Sequence, residues 1–297
     1  MKTFDILVYS LLSLLLFSGC FSSEPLTKKA IKHNKKKVFL LAGQSNMDGR
    51  ADGDKLSSTD LERLKKAGAK IKFYYNHHPV TPLQLTTPPG YVQKKFNLKH
   101  TFGPELFFGI NLHEAHPQEE YIFIKRSIGG TTLYGCWNPY WTEEKAKVTG
   151  EENKPKLFSD FINYTKDVLS RYDTSEYEIC GMLWVQGESD SNKKFGDLPA
   201  KTYGDNLINL IKETRKQLNV PDLPFIMFQV GNETVVAGMK KATRELKNVH
   251  LIPQSYDKNS PDYYPRNPPP LGHYITESMK RIGTRFFEVW DKNYRCE

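Results

Sequence analysis

Residues 38–47 read VFLLAGQSNM, so that five consecutive apolar residues run directly into a glycine and a group of small polar residues. Three other runs along the chain are also apolar without interruption: Tyr121–Ile124, Gly181–Val185 and Phe225–Phe228. Continuous rather than alternating apolar residues are typical of strands that are buried on both faces, as in a parallel sheet covered by helices. We therefore expect these four runs to form strands of a mainly parallel sheet.

Segments with apolar residues at helical spacing separate these runs. The spacing predicts helices over 157–169 and 203–218, and a last helix from about Thr276 to Trp290. Pro104 is placed to open a further helix, which Pro117 ends. Strand, crossover helix and strand in repetition predict a three-layer α/β/α sandwich.

One domain accounts for the body of the chain, residues 38–297, since neither an internal repeat nor a second boundary is visible. The polar stretch Glu143–Pro155 and the proline-rich stretch Pro261–Pro270 are expected to be excursions from this domain.

The first twenty residues predict a signal peptide. Lys2 precedes a largely apolar stretch, residues 6–17, which has the length of a signal-peptide core and is short for a membrane span. The stretch ends in LFSGC, residues 16–20, and small residues before a cysteine resemble a bacterial lipoprotein box, in which Cys20 becomes the lipidated first residue. The alternative is cleavage near Ser22, which discards Cys20. Both readings predict an exported protein, periplasmic or at the cell surface, and the first adds attachment to a membrane.

Much of the net charge lies close to this leader. The chain has 42 Lys and Arg against 34 Asp and Glu, a formal charge of +8, and six of the lysines fall within residues 28–37. We expect residues 21–37 to form a solvated basic tether near a membrane surface. The remaining body is close to neutral, which argues against a basic groove for nucleic acid.

The cysteines give no sign of a metal site. Cys136, Cys180 and Cys296 remain after the leader, and their spacing leaves open which pair, if any, forms a disulfide. Neither a C-x-x-C motif nor a compact His/Cys cluster is present, so we expect no metal and no cofactor.

Candidate functional residues follow the first three apolar runs, at the strand ends where α/β sheets carry their chemistry. Ser45 follows the first run, but Met47 stands where the G-x-S-x-G elbow has its second glycine. Gly129 and Gly130 follow the second run, and such glycines let backbone N–H groups approach a substrate oxygen. Taken alone, each of these features is more typical of a cap or a turn than of a catalytic site.

Taken in order, the motifs GQSNM at 43–47, IGGT at 128–131, WVQGESD at 184–190 and a late Gly-His pair at 272–273 resemble the SGNH hydrolases. Within these hydrolases the chain is similar to the sialate O-acetylesterase branch, which shares carbohydrate esterase family six with the acetyl xylan esterases. The resemblance implies an α/β/α fold and a metal-free serine esterase that removes acetyl groups from carbohydrates such as sialic acid or xylan.

The resemblance also assigns roles to residues. It implies Ser45 as nucleophile and His273 as general base, with an oxyanion hole formed by the N–H groups of Ser45 and Gly130 and the side-chain amide of Gln186. Gly130 is preferred over Gly129 because Thr132 follows it two positions on.

The third member of the catalytic triad is open. Many SGNH enzymes have an aspartate three residues before the histidine, where this chain has Pro270. Glu188 is the first candidate to replace it, followed by Asp190 and Asp262, and a backbone carbonyl that holds the imidazole is the remaining alternative.

An aromatic segment follows the oxyanion glycines. Tyr134, Trp137, Tyr140 and Trp141 crowd into eight residues, where they either form a stacking platform for a sugar or close the core over the sheet edge. The expected substrate contacts are made by Trp137, Trp141, Asn46 and Asp190.

Two other functions remain open. A carbohydrate-binding surface lipoprotein could keep this scaffold without activity, and the absent aspartate favours that reading. An esterase acting on acetyl groups of lipid or peptidoglycan is the other, because the scaffold alone does not determine the acyl acceptor.

Overall fold

A computed structural model of the protein describes residues 35–295. The leader, Cys20 and most of the basic tether lie outside these residues, as does Cys296, and the predictions about them stay predictions. The described residues belong to one compact unit. None of the helices between residues 35 and 295 has the length and apolarity needed to cross a membrane.

Nine strands are present among these residues. They are β1 (Lys36–Gly43), β2 (Ala51–Asp52), β3 (Ile71–Tyr75), β4 (Thr81–Pro82), β5 (Thr101–Phe102), β6 (Tyr121–Ser127), β7 (Tyr177–Val185), β8 (Phe225–Phe228) and β9 (Val249–Ile252). Seven form one sheet in the order β4-β3-β6-β1-β7-β8-β9, in which only the β3–β4 pair is antiparallel. Strands β2 and β5 form a separate antiparallel pair.

Between residues 35 and 295, ten α-helices connect and cover the strands. They are α1 (Ser45–Asp48), α2 (Ser58–Gly68), α3 (Gly90–Phe96), α4 (Glu105–Ala115), α5 (Glu143–Thr149), α6 (Leu157–Leu169), α7 (Leu198–Lys201), α8 (Tyr203–Gln217), α9 (Glu233–Glu245) and α10 (Thr276–Tyr294). Helix α4 packs with α2 and α10, whereas α8 packs with α9 and α6. The helices lie on both sides of the sheet, so the predicted three-layer α/β/α arrangement is confirmed.

The four apolar runs form the central strands β1, β6, β7 and β8, as predicted. Their side chains fill the core, where the ring of Phe39 makes T-shaped contacts with Phe108, Phe123 and Trp290 at centroid distances of 4.8, 5.8 and 5.0 Å. Such aromatic pairs contribute about 0.5–1.5 kcal/mol beyond the burial of their area. The helices predicted over 104–117, 157–169, 203–218 and 276–290 correspond to α4, α6, α8 and α10.

The structure corrects the sequence interpretation at two places. Strand β1 begins at Lys36, so the last two residues of the expected tether belong to the sheet, and the ammonium of Lys37 is buried 3.0 Å from the Glu178 carboxylate. The stretch 143–155, expected to be an excursion, contains α5 and brings the side chain of Glu151 into the interior with no exposed surface.

Candidate active site

The central position of β1 brings three strand ends together. Gly43 at the end of β1 pairs with Ser127 of β6 on one side and with Val185 of β7 on the other. Gly43 has a φ of +152°, and a β-carbon there would lie 2.2 Å from the carbonyl oxygen of Val185. Only glycine fits this turn, which places Ser45 as the first residue of α1 at the carboxyl edge of the sheet.

The loop after β6 has two groups of backbone amides. Those from residue 132 to residue 136 donate to acceptors inside the protein: the carboxylates of Glu151 and Asp190 and the hydroxyl of Thr132. Within residues 35–295, the amides of Gly129 and Gly130 donate to no protein acceptor. These two amides are therefore available to a substrate oxygen.

Of the two glycines, Gly129 packs against the serine. A β-carbon on Gly129 would lie 3.4 Å from Cβ of Ser45 and 3.3 Å from NH2 of Arg50. Gly130 has a φ of +70° and open space at the same position, and its carbonyl accepts a 3.1 Å hydrogen bond from Lys154. The assignment of Gly130 as an oxyanion donor stays a prediction. Gly129 is the glycine that lies next to Ser45.

The side-chain amide of Gln186 is occupied elsewhere. Its Nε2 donates to Oδ2 of Asp190 at 2.6 Å and to the carbonyl of Thr131 at 3.0 Å, and the residue has no exposed surface. An amide nitrogen carries only two hydrogens. In this arrangement Gln186 has none left for an oxyanion, contrary to expectation.

Asp190 lies behind the loop rather than in contact with a sugar. Its carboxylate is completely buried and accepts hydrogen bonds from Gln186 and from the amides of Leu133 and Tyr134, at 2.6–2.9 Å. Burial nevertheless raises the pKa of Asp190 to about 7. The expected substrate contact is therefore wrong, because this carboxylate stabilises the loop from inside.

Glu188 does not contact the histidine. Its carboxylate accepts hydrogen bonds from Gln44 at 3.1 Å and from Asn46 at 3.0 Å, and it pairs with Arg266 at 2.7 Å. Among the described residues, no hydrogen bond joins Glu188 to His273. The first candidate for the third triad member thus contacts the two residues beside Ser45 and not the imidazole.

The imidazole of His273 is held in its neutral form. Burial and the charges of Arg50 and Arg266 lower its pKa to about 4, against the opposing effects of the Leu271 carbonyl and of Asp48. Its Nδ1 atom is buried without a well-formed hydrogen bond to any described residue. A neutral imidazole at pH 7 is the form that a general base requires.

The charges of Arg50 and Asp48 act on the imidazole of His273, and Asp48 is the last residue of α1, the helix that begins with Ser45. No carboxylate of the described chain is hydrogen-bonded to the imidazole, and none of its hydrogen bonds reaches Oγ of Ser45. Catalytic hydrogen bonds often become short only when substrate is bound. The pairing of Ser45 with His273 stays a prediction.

Two charged residues near Ser45, Asp48 and Arg50, were not among the predicted site residues. Arg50 is 3% exposed and pairs with Oδ2 of Asp48 at 2.6 Å, while Oδ1 of Asp48 accepts hydrogen bonds from Tyr75 and Ser127. Their position directly after GQSNM was a signal, because charged residues beside a buried turn need partners. Glu151 gave no comparable signal, since it lies in a polar stretch.

The aromatic segment divides between core and surface. Trp137 has no exposed surface and packs edge-on against Trp184, with centroids 5.2 Å apart, so it belongs to the core instead of a sugar platform. Trp141 is partly buried beneath the ammonium of Lys156, 4.0 Å from the ring centroid. Tyr140 is exposed. Asn46, also expected to contact substrate, is buried with its amide on Glu188.

Residues 35–295 contain no group of three or more His, Cys, Asp or Glu side chains arranged to hold a metal ion. Cys136 is a buried free thiol, and burial raises its pKa to about 12.

The strand order and the helices on both faces define an α/β/α protein with a mainly parallel sheet, in which Ser45 lies directly after the carboxyl end of the central strand β1. The family model described as carbohydrate esterase, sialic acid-specific acetylesterase matches residues 35–291, and the chain belongs to that family.

One curated relative is similar to a short part of the chain, and two solved structures are similar in fold. A probable carbohydrate esterase of Arabidopsis thaliana is 42% identical over 55 residues, which is 18% of this chain and one fifth of that relative's length. An X-ray structure of an Arabidopsis thaliana protein is similar with a TM-score of 0.59 and 19% identity, covering 88% of this chain and all of the other. The crystal structure of NanS gives a TM-score of 0.58 and 15% identity, covering 87% of this chain and 97% of NanS. The two structural likenesses concern the fold.

Proposed function

We propose that the protein is a serine esterase that removes O-acetyl groups from a carbohydrate. Ser45 attacks the acetyl carbonyl while His273 takes its proton, and the histidine then returns that proton to the leaving sugar hydroxyl. Water attacks the acetyl-serine in the second half of the reaction and releases acetate. Family membership supports the acyl group and the substrate class.

One observation carries the proposal: the turn of Ser45 lies against the Gly129–Gly130 loop, whose amides donate to no acceptor of the described chain. Preorganised N–H donors stabilise the oxyanion of the tetrahedral intermediate, and removal of one such donor costs about 10²–10³ in kcat. The donors in this proposal are the N–H groups of Ser45, Gly129 and Gly130. Since no described carboxylate holds the imidazole, the reaction is assigned to a Ser-His pair without a third acid.

The substrate within the class is a sialic acid acetate or an acetylated polysaccharide such as xylan. Export through the leader, with a lipid on Cys20, belongs to the same proposal and would place the enzyme where such glycans occur.

A binding protein without activity is the second candidate, and the lack of a carboxylate hydrogen-bonded to His273 among the described residues favours it. Organophosphate labelling separates the two, because only an activated serine reacts stoichiometrically. We expect the label on Ser45 and hydrolysis of 4-nitrophenyl acetate, both lost in Ser45→Ala by a factor of about 10⁴ or more.

Ser159→Ala is the matched control, since this serine is an exposed residue of α6 far along the chain from every motif of the site. Acetate release from acetylated sialic acid, acetylated xylan and acetylated peptidoglycan then ranks the substrates. A chain that binds these glycans but neither labels nor hydrolyses 4-nitrophenyl acetate contradicts the esterase proposal.

A further inference from the structure

The loop that carries His273 has little regular structure of its own. Between β9, which ends at Ile252, and α10, which begins at Thr276, the chain has only isolated bridges, and five prolines fall within residues 261–270. Pro270 replaces the acid that would otherwise hold the imidazole. Some other contact must therefore keep this loop in register with the serine.

Arg266 supplies that contact on the histidine side. Its NH2 donates to the hydroxyl of Tyr274 at 2.6 Å, and its guanidinium carbon lies 4.2 Å from the centroid of the Tyr274 ring. Tyr274 is completely buried, and its hydroxyl donates in turn to Oε1 of Gln254 at 3.0 Å. Because Tyr274 directly follows His273, Arg266 is anchored to the backbone that bears the imidazole.

Glu188 supplies the contact on the serine side. It accepts hydrogen bonds from Gln44 and Asn46, the residues on either side of Ser45, and it pairs with NH1 of Arg266 at 2.7 Å. The carboxylate thus lies between the nucleophile turn and the histidine loop. Charge-assisted hydrogen bonds to both sides make this a directional connection.

We propose that Glu188 and Arg266 are a positioning pair that takes over the task of the absent aspartate indirectly. The pair holds the His273 loop against the Ser45 turn and does not contact the imidazole. This inference rests on the proposed esterase function. In the proposed reaction, neither Glu188 nor Arg266 contacts the reacting atoms.

The pair is expected to matter more for turnover than for stability. The side chains of Arg266 and Glu188 retain 36% and 21% exposure, and partly exposed ion pairs contribute little to the free energy of unfolding. Misplacing a catalytic group by about 1 Å, in contrast, costs about 100-fold in rate.

A double-mutant cycle with 4-nitrophenyl acetate tests the pair. We expect Glu188→Gln and Arg266→Gln each to lower kcat by about 10–100-fold with little change in KM, and the double variant to be no slower than the worse single variant. Asp205→Asn and Lys241→Gln form the control cycle, because that exposed pair, 2.6 Å apart, connects α8 with α9 and should leave kcat unchanged.

The pH dependence of kcat/KM provides a second test. A purely structural role of the pair would not make the two single variants differ in the position of the acid limb. The imidazole is surrounded by the charges of Arg50, Arg266 and Asp48. Arg266→Gln removes one cation, so the acid limb of kcat/KM should move to higher pH, while Glu188→Gln leaves that cation in place and should not move the limb upward. Arg266→Lys should keep the limb low without restoring kcat in full, since lysine lacks the second donor.

Amide hydrogen exchange tests the connection without depending on activity. The amides of Asn267, Gly272 and Ile275 are hydrogen-bonded within the loop, and they should exchange faster in both single variants. Additive losses of kcat, or unchanged exchange in the loop, would overturn the positioning pair. If the parent protein is neither labelled by an organophosphate nor active while exchange rises as expected, the esterase proposal fails and the structural connection stands.

Discussion

Replacement of Glu151 should loosen the loop that holds the proposed oxyanion donors. The carboxylate is buried without exposed surface and accepts hydrogen bonds from the amides of Thr132 and Cys136, at 3.0 and 3.1 Å, and from two threonine hydroxyls. Lys154 also reaches it at 3.3 Å while donating to the carbonyl of Gly130. Glu151→Ala leaves this set of donors without an acceptor.

The magnitude follows from the donors that are stranded. A buried donor that loses its partner costs about 1–3 kcal/mol, and the two amides cannot turn elsewhere, whereas the hydroxyls can rotate. We therefore expect Glu151→Ala to lower the free energy of unfolding by about 4 kcal/mol. This is a large part of the total free energy of unfolding, which is about 5–15 kcal/mol for typical proteins. The Tm should fall by about 10 °C.

Urea-induced unfolding followed by tryptophan fluorescence measures this change, with hydrolysis of 4-nitrophenyl acetate recorded on the same samples below the transition. Glu152→Ala is the control, because this neighbouring glutamate is exposed. A free energy of unfolding within about 1 kcal/mol of the parent value would refute the idea that Glu151 holds the loop. If Glu151→Ala is destabilised but fully active, the loop that Glu151 holds does not supply the oxyanion donors.

Three further predictions concern the site. The value of kcat/KM should stay constant as the pH falls from 7 and decline only near pH 4, because His273 must be neutral to act as base and its pKa is lowered to about 4; a midpoint near 6.5 would contradict this. Gly129→Ala should reduce kcat by about tenfold while the chain stays folded, because its β-carbon would lie 3.3 Å from Nη2 of Arg50, closer than ordinary contact, and 3.4 Å from Cβ of Ser45, so that the Arg50 side chain beside the serine must shift; unchanged steady-state kinetics would show that this shift does not reach the reacting groups. Trp137→Ala should lower the free energy of unfolding by about 3–5 kcal/mol because it leaves a cavity in the core, whereas Trp141→Ala should lower it less; urea-induced unfolding of both variants measures the difference.

Much of the sheet could be predicted from local pattern. Strands buried on both faces must be apolar throughout, and that is why β1, β6, β7 and β8 were recognised. Strands β3 and β9 lie toward the margins of the sheet, where Lys72 is exposed and His250 is half-buried, so their sequences lack a continuous apolar run. The motifs likewise predicted that chemistry gathers after the central strands, since parallel strands end at one edge.

The three acids of the site show where such reasoning ends. In the sequence, Glu188 and Asp190 are neighbours in one loop, and Glu151 is one of many charges in a polar stretch. In the fold, Asp190 and Glu151 turn inward to the amides of the loop after β6, while Glu188 turns to the residues beside Ser45 and to Arg266.

Local sequence pattern thus predicts which segments are buried strands, that the chain can turn sharply at Gly43, and which serine and histidine match the motifs of a known family. Three features follow only from contacts between distant segments: the donor that each carboxylate meets, the place of Trp137 in the core, and the connection of the histidine loop to the turn of Ser45 through Arg266. The difference lies in the distance along the chain over which the interactions act. Burial patterns and turn geometry depend on neighbouring residues, whereas the hydrogen-bond partners of a side chain depend on groups that come together from distant parts of the chain.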